Sequence, residues 1–166
     1  MPAPIRPATV SDIPAIQEVA RRTWTATYAG MIPEATQAAF LERAYSREEL
    51  ERRLAHPAIR AWVAGQDGRV VGYLFLHLPE DLHTHVPELA AIYVLPEAQG
   101  RGFGLALFEA AVQAVRTAGA SVLWVVGHRD NHRSRSWYER RGFVYDHDTV
   151  AWQSIPEAVY RLEIAG

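Results

Sequence analysis

The stretch that most constrains this chain runs from Glu88 through Leu-Ala-Ala-Ile-Tyr-Val-Leu-Pro-Glu-Ala-Gln-Gly-Arg-Gly-Phe to Gly104, and continues to Val112. Ala90 to Leu95 form a near-continuous apolar run that stops at Pro96, the pattern of a buried central strand. Leu107, Phe108, Ala111, Val112 and Val115 then recur at helical spacing. A strand must therefore become a helix within a few residues, and Gly100, Gly102 and Gly104 sit in that turn with no side chain to keep a ligand from the backbone. The first N–H groups of a helix lack partners inside it and lie at the positive end of its dipole, which suits a phosphate. Two readings stand at this point: an anion cradle, or a turn whose glycines serve backbone geometry alone.

With 166 residues and 49% hydrophobic content, a single domain over residues 1–166 with a sizeable core is expected. Seventeen Lys and Arg against nineteen Asp and Glu give a net charge of -2, which argues against nucleic acid or an anionic membrane as partner. Arg21-Arg22 and Arg129 to Arg141 are rich in arginine, but acids are interleaved with them. The lack of cysteine excludes disulfides, thiolate metal sites and a cysteine nucleophile. Met1-Pro-Ala-Pro-Ile-Arg-Pro7 carries no apolar leader core and no apolar run is long enough to span a membrane, so a cytoplasmic location is expected.

In chain order, Pro4 to Ala8 is a short candidate strand. Ser11-Asp12 starts a helix with Ile13, Ile16, Val19 and Ala20 on one stripe, running to about Tyr28 before Ala29-Gly30. Pro33 to Ala44 is a second helical stretch, and Ser46-Arg-Glu-Glu49 is a capping box opening a third over Glu48 to Leu54. The period then changes: Ile59 to Ala64 and Val70 to Leu78 read as strands around the turn Gly65-Gln-Asp-Gly68. Pro79 to Pro87 is a polar loop. After the helix that ends near Gly119 come a strand at Val122 to Val126, a helix from Asp130-Asn131 to Arg141 closed by Gly142, and strands at Phe143 to Trp152 and Val159 to Ile164. Hairpins mixed with one β-α-β crossover, and no internal repeat, imply an α/β fold with a mixed sheet and helices on both faces.

Standard phosphate motifs fail. No lysine follows the glycines as a P-loop requires, and Leu105 stands where a dinucleotide fingerprint needs its third glycine. His77-Leu-Pro-Glu-Asp81 spells HxxxD, a pattern of much longer acyltransferases and a chance match in this chain. His83-x-His85 lacks a third ligand at fixed spacing, so no metal is expected. There is no GxSxG elbow.

What remains is Gln99-x-x-Gly102-x-Gly104, preceded by Val94-x-Pro96, and then Asn131-x-x-Ser134-x-x-Trp137-Tyr138-Glu139-x-x-Gly142-Phe143. Together and in this order they resemble the GCN5-related N-acetyltransferase (GNAT) superfamily over essentially the whole chain. The resemblance implies the GNAT fold, a mostly antiparallel sheet of six to seven strands with helices on both faces. It also implies acetyl-CoA as co-substrate and an amine acceptor. The amides of Gln99, Gly100, Arg101, Gly102, Phe103 and Gly104 would cradle the pyrophosphate. The pantetheine arm would pair with the strand at Ile92, Tyr93 and Val94, where a backbone amide would polarise the thioester carbonyl. Asn131 matches a cofactor-contacting position, or is a plain helix cap, or both; Ser134 replaces a customary alanine.

Tyr138 matches the tyrosine that protonates the departing thiolate, a role suited to a phenol protonated at neutral pH; packing beside Trp137 is the alternative. Glu88 lies where some members place a catalytic glutamate, and needs burial or a relaying water to act as a base; a strand-edge surface carboxylate is the alternative. Thr23-Trp24-Thr-Ala-Thr-Tyr28, Phe40-Leu-Glu-Arg-Ala-Tyr45 and Ala91-Ile92-Tyr93-Val94 resemble the PaiA-like polyamine acetyltransferases, although Ala90-Ala91 replaces a common Glu-Arg pair. Trp24 and Tyr28, one helical turn apart, are candidates to line the acceptor pocket, with core packing the alternative.

The expected function is therefore acetyl transfer from acetyl-CoA directly to a primary amine of a small, polyamine-like molecule. Transfer to a protein or peptide, and a non-catalytic acyl-CoA sensor, are the rival readings. Homodimers are common among relatives, and the resemblance extends that expectation here.

Overall fold

The computed structural model describes residues 4–165, so Met1 to Ala3 and Gly166 of the expected domain lie outside the described residues. Its elements run β1 (Ile5–Pro7), α1 (Ile13–Tyr28), α2 (Glu34–Ala44), α3 (Arg47–Ala55), β2 (Ile59–Gln66), β3 (Arg69–His77), β4 (Glu88–Val94), α4 (Phe103–Thr117), β5 (Val122–His128), α5 (His132–Arg140), β6 (Val144–Val150) and β7 (Pro156–Glu163). The local signals in the sequence account for several boundaries. Ser46 caps α3 by accepting from the Glu49 amide at 3.1 Å. Asp67 and Gly68 both have positive φ, 52° and 75°, as a two-residue hairpin turn requires. Ahead of α1, buried Asp12 accepts from both Arg6 guanidinium nitrogens at 2.8 Å and from the Thr9 amide at 2.8 Å.

The seven strands form one sheet in the order β1-β2-β3-β4-β5-β7-β6, antiparallel throughout except for β4 against β5. Two adjacent residues of β3 show which helices cover which face. A Cβ on Gly72 would lie 3.4 Å from Leu107 of α4, whereas the next residue, Tyr73, donates from its hydroxyl to Tyr45 after α2 at 2.7 Å. Successive strand residues point to opposite faces, so α4 covers one face and α1 to α3 the other. Gly127 of β5 faces the ring of Tyr138, which places α5 on the α4 side. The core lies on both faces of β3, where Tyr73, Leu74, Phe75 and Leu76 are buried together with Leu107 of α4 and Ile16 of α1. Each such side chain contributes about 1.5–3 kcal/mol by leaving water.

One expectation is corrected. β4 is the central strand, but of its residues only Leu89 is buried; Ala90 is exposed and Ala91 to Val94 are partly open. The reason lies in its pairing with β5, which is unusually brief.

Candidate active site

β4 and β5 pair at only two positions, Glu88 with Trp124 and Leu89 with Val125. Beyond them the strands part, while β5 continues to pair with β7 as far as His128 with Glu157. β4 also bulges here: Phe75 and Leu76 of β3 face Ala91 and Leu89, which leaves Ala90 as an extra residue that bends the strand. The result is a cleft of about 630 Å³ walled by Ala90 to Val94 on one side and Val126 and Gly127 on the other. Backbone groups of β4 that a neighbouring strand would take up are left facing this space.

At one end of the cleft stands the glycine turn. Gly100 and Gly102 adopt φ of 78° and 88°, and a Cβ at either would meet nothing within 4 Å. Backbone conformation, not crowding, therefore demands glycine at both. Gly102 is the N-terminal cap of α4, whose first bond runs from the Ala106 amide to the Gly102 carbonyl at 3.0 Å. The amides of Phe103, Gly104 and Leu105 thus precede that bond and are not spent inside the helix. No acidic residue lies in the first turn of α4, and the nearby Glu97 is bound by Arg22 and Arg69 at 2.8 and 2.9 Å. The hydrogen bond from Arg22, with help from Arg69, holds the Glu97 carboxyl at about 2. Gln99 donates to the Val94 carbonyl at 3.0 Å and ties the turn to the end of β4.

α5 supplies the second wall of this end. Asn131 is buried and caps the helix, accepting from the Ser134 amide at 3.2 Å and donating to the Ser134 hydroxyl at 2.7 Å. Tyr138 reaches the cleft with its ring 3.7 Å from where a Gly127 Cβ would be, among Trp137 and Phe143. Burial pushes its phenol far above the ordinary range, so the hydroxyl keeps its proton at any physiological pH. Arg133 and Arg141 add positive charge to the same wall, Arg141 lying 4.7 Å over the Trp137 ring.

On the opposite face, Tyr28 of α1 lines the cleft and its hydroxyl shares a 3.0 Å hydrogen bond with that of Tyr93. Half-buried Glu88 faces away from α4 with its partner Trp124, and burial raises its carboxyl while His77 opposes the shift. Glu157 and His128 stand side by side on β7 and β5, with the His128 ring 6.2 Å from that of Tyr28.

This geometry has relatives. The profile of the Acetyltransferase (GNAT) family matches residues 15–143, from within α1 to the turn after α5. The chain belongs to the GNAT acetyltransferase family. Among its relatives, an uncharacterized N-acetyltransferase from the pepI 3′ region of Lactobacillus delbrueckii subsp. lactis is 30% identical, with 80% of this chain and 79% of that one covered. The spermidine N(1)-acetyltransferase of Thermoplasma acidophilum is 28% identical over 94% of this chain and 96% of its own. Among solved structures, the PaiA N-acetyltransferase of Thermoplasma acidophilum in complex with coenzyme A superposes with a TM-score of 0.86 at 24% identity, covering 98% of this chain and 99% of that one. The GNAT fold and acetyltransferase class follow.

In this acetyltransferase, most residues singled out from the sequence meet in one cleft. Ile92, Tyr93, Val94, Gln99, Gly100, Gly102, Phe103, Gly104, Asn131, Ser134, Tyr138 and Tyr28 all line it. Arg101 is exposed and outside the lining. Trp24 is outside the lining: it is 7% exposed and packed between Phe40, stacked at 4.4 Å, and Tyr28, at 4.5 Å, the core-packing alternative that its helical spacing also allowed. Glu88 is outside the lining, as are His128 and Glu157 on the same face of the sheet. His83 and His85 belong to a turn organised by Asp81, which accepts from the His83 amide at 2.9 Å and the Thr84 hydroxyl at 2.6 Å. Sequence reasoning missed Arg133 and Arg141, and on the other face His128 and Glu157. The arginines lay in a helix already singled out, where charge opposite a glycine turn is a usable signal. Nothing in the sequence marks Glu157, because its face is set by the register of β7 on β5.

Proposed function

We propose that the enzyme binds acetyl-CoA in this cleft and passes the acetyl group directly to a primary amine of a small, polyamine-like acceptor. The observation that carries the reading is the parting of β4 from β5 beside the unspent amides of α4, with the Tyr138 ring brought against the gap at Gly127. The donor set fits the group. Open backbone at Gly100 and Gly102, free amides at Phe103 to Leu105, and Arg133 and Arg141 suit a pyrophosphate. The uncovered edge of β4 suits an extended amide-bearing arm, and beyond Leu89 the strand's outward backbone groups have no β5 partner and are available to a developing oxyanion.

The thioester supplies an activated acyl group, and the chain's own residues do the rest. Gln99 to Leu105 hold the phosphates, Ile92 to Val94 align the arm, and Asn131 and Ser134 fix the start of α5 so that Tyr138 stays aimed at the gap. Tyr138 gives a proton to the leaving sulfur. Among the described residues lining the cleft there is no Cys, and its Ser134 hydroxyl is bonded to Asn131 rather than to a base, in keeping with direct transfer. The polyamine assignment is supported by the name of the 28% identical Thermoplasma acidophilum relative and by carboxylates on the acceptor face.

The test is calorimetric titration with acetyl-CoA, followed by CoA release assayed with spermidine, putrescine, an aminoglycoside and a short peptide. Binding together with turnover on aliphatic amines is the expected result. Turnover on the peptide alone would redirect the reading to protein amines, and absence of acetyl-CoA binding would remove it.

A further inference from the structure

An acceptor amine arrives mostly as an ammonium ion and must lose a proton before its lone pair can attack. Tyr138 is held protonated on the α4 side of the sheet, so it is a donor. A proton acceptor is needed on the other side of the gap. Three groups are candidates there: Glu88, His128 and Glu157.

Register separates them. Gly127 faces Tyr138, and the next residue, His128, therefore points to the α1 side, where its ring lies 6.2 Å from that of Tyr28. Glu157 is the direct cross-strand partner of His128 and shares that face. Both thus stand level with Tyr138 across the thickness of the sheet. Glu88 pairs with Trp124, four residues earlier on β5, which is about 13 Å along the strand and at the closed end of the gap.

Hydrogen bonding separates them further. His128 is 6% exposed, and its Nδ1 accepts from the Asp130 amide at 3.0 Å. Its ring proton is therefore on Nε2, which has no partner among the described residues, and the ring offers that space a donor and no lone pair. Burial also lowers its affinity for a second proton. Glu157 is half-buried and, among the described residues, engages in no side-chain hydrogen bond or ion pair. Glu49, by contrast, is bound by Arg52 and Arg53 and Glu97 by Arg22 and Arg69, while Glu88 shares with Glu157 the lack of such a partner among the described residues, so that register alone separates those two. Across the sheet Glu157 sits between His128 of β5 and Thr149 of β6, with Tyr28 and Glu88 acting on it electrostatically, and burial with the Glu88 charge raises its carboxyl above the ordinary range, toward that of a usable base.

We infer that Glu157 is the catalytic carboxylate that takes the proton of the acceptor ammonium, acting from the face of the sheet opposite Tyr138; this rests on the acetyl-transfer reading above. The ammonium passes one proton to the Glu157 carboxylate. The freed nitrogen lone pair bonds to the thioester carbonyl carbon, and the C–S bond breaks with its electron pair on sulfur. The second proton leaves nitrogen as sulfur gains one through the Tyr138 hydroxyl, so the products are an amide, a thiol and protonated Glu157, which returns its proton to water. Glu88 lies outside this path and tunes acceptor affinity.

The experiment compares Glu157→Gln, Glu157→Asp and Glu88→Gln with the parent enzyme, using spermidine and n-butylamine over pH 6 to 10, with CoA affinity and thermal unfolding measured in parallel. Glu157→Gln should lower kcat about a hundredfold near neutrality while CoA affinity stays within a few-fold. Its rate should climb steadily with pH as free amine accumulates in solution, which a merely structural defect would not produce. Glu157→Asp should retain part of the lost rate, and Glu88→Gln should act mainly on KM. The inference is overturned if Glu157→Gln keeps kcat within a few-fold, if its loss is pH-independent, or if Glu88→Gln carries the kcat loss instead. Parent enzyme that binds CoA yet acetylates no amine would instead remove the acetyl-transfer reading itself, and Glu157's role with it.

Discussion

Replacing Gly102 by valine tests the anion cradle at the point where the fold demands least of it. Gly102 has φ 88°, and a Cβ there would meet nothing within 4 Å, so the valine is not crowded. Its cost is backbone strain, about 1–2 kcal/mol for a side-chain-bearing residue held left-handed. For a domain of this size that lowers Tm by about 2–8 °C, leaving a folded protein at 25 °C. Ligand binding should suffer far more, because relaxing the strain rotates the amides that open α4 and the branched side chain enters the space a pyrophosphate needs. Losing two charge-assisted hydrogen bonds at about 1.5–3 kcal/mol each predicts at least a hundredfold weaker acetyl-CoA binding. Gly119→Val just past the far end of α4 is the control: its φ of 83° is equally left-handed and a Cβ there would also meet nothing within 4 Å, but it lies outside the cleft lining, so it carries the strain without the loss of binding. Isothermal titration and circular-dichroism melts on both variants decide the matter. If Gly102→Val binds acetyl-CoA within threefold of the parent while folded, the turn is not the phosphate site.

Tyr138→Phe should lower kcat about a hundredfold with a much smaller change in CoA affinity, read by steady-state kinetics and calorimetry together. Tyr28→Phe removes one side of the 3.0 Å bond to Tyr93, and should lower stability by about 1 kcal/mol and raise the acceptor KM, checked by melting and kinetics. Asp12 is held below the usual carboxylate range chiefly by its hydrogen bonds from Arg6. A lowered carboxyl contributes stability above the unfolded-state value that is lost as pH falls through the folded one, so acid unfolding below about pH 4 should be shallower in Asp12→Asn.

Much of this architecture is legible in the sequence because local chemistry and tertiary structure agree. The capping box at Ser46, the turn at Asp67-Gly68 and the helical stripe of α1 each name their element, and the glycine turn with Asn131 to Tyr138 names the donor side of the cleft. Those residues lie in two continuous segments, where spacing is a proxy for position. The acceptor side is different. Trp24 and Tyr28 share a helical face, yet Phe40 of α2 claims Trp24, a contact between helices that no periodicity reveals. The apolar run at Ala90 to Leu95 reads as a buried strand, since its sequence holds no sign that β5 leaves it after two pairs. Glu157 acquires its place only through its pairing with His128.

The acceptor face also carries a cost that can be measured apart from turnover. A carboxyl raised by burial and by a neighbouring charge stabilises the fold while it is protonated, and that contribution is lost as pH rises through its folded-state value. Ionised Glu157 therefore weakens the fold at pH 8, and Glu157→Gln should melt higher than the parent there, the difference closing toward pH 4 where both side chains are neutral. A glutamate kept for an ion pair would behave in the opposite way, its loss lowering Tm most at high pH. Rising stability with falling kcat in one variant is thus what a half-buried base without a cation of its own must give, because the charge that burdens the folded chain is the charge that draws and deprotonates the ammonium. Thermal melts of the two proteins across this range would refute the assignment if Glu157→Gln were the less stable at pH 8.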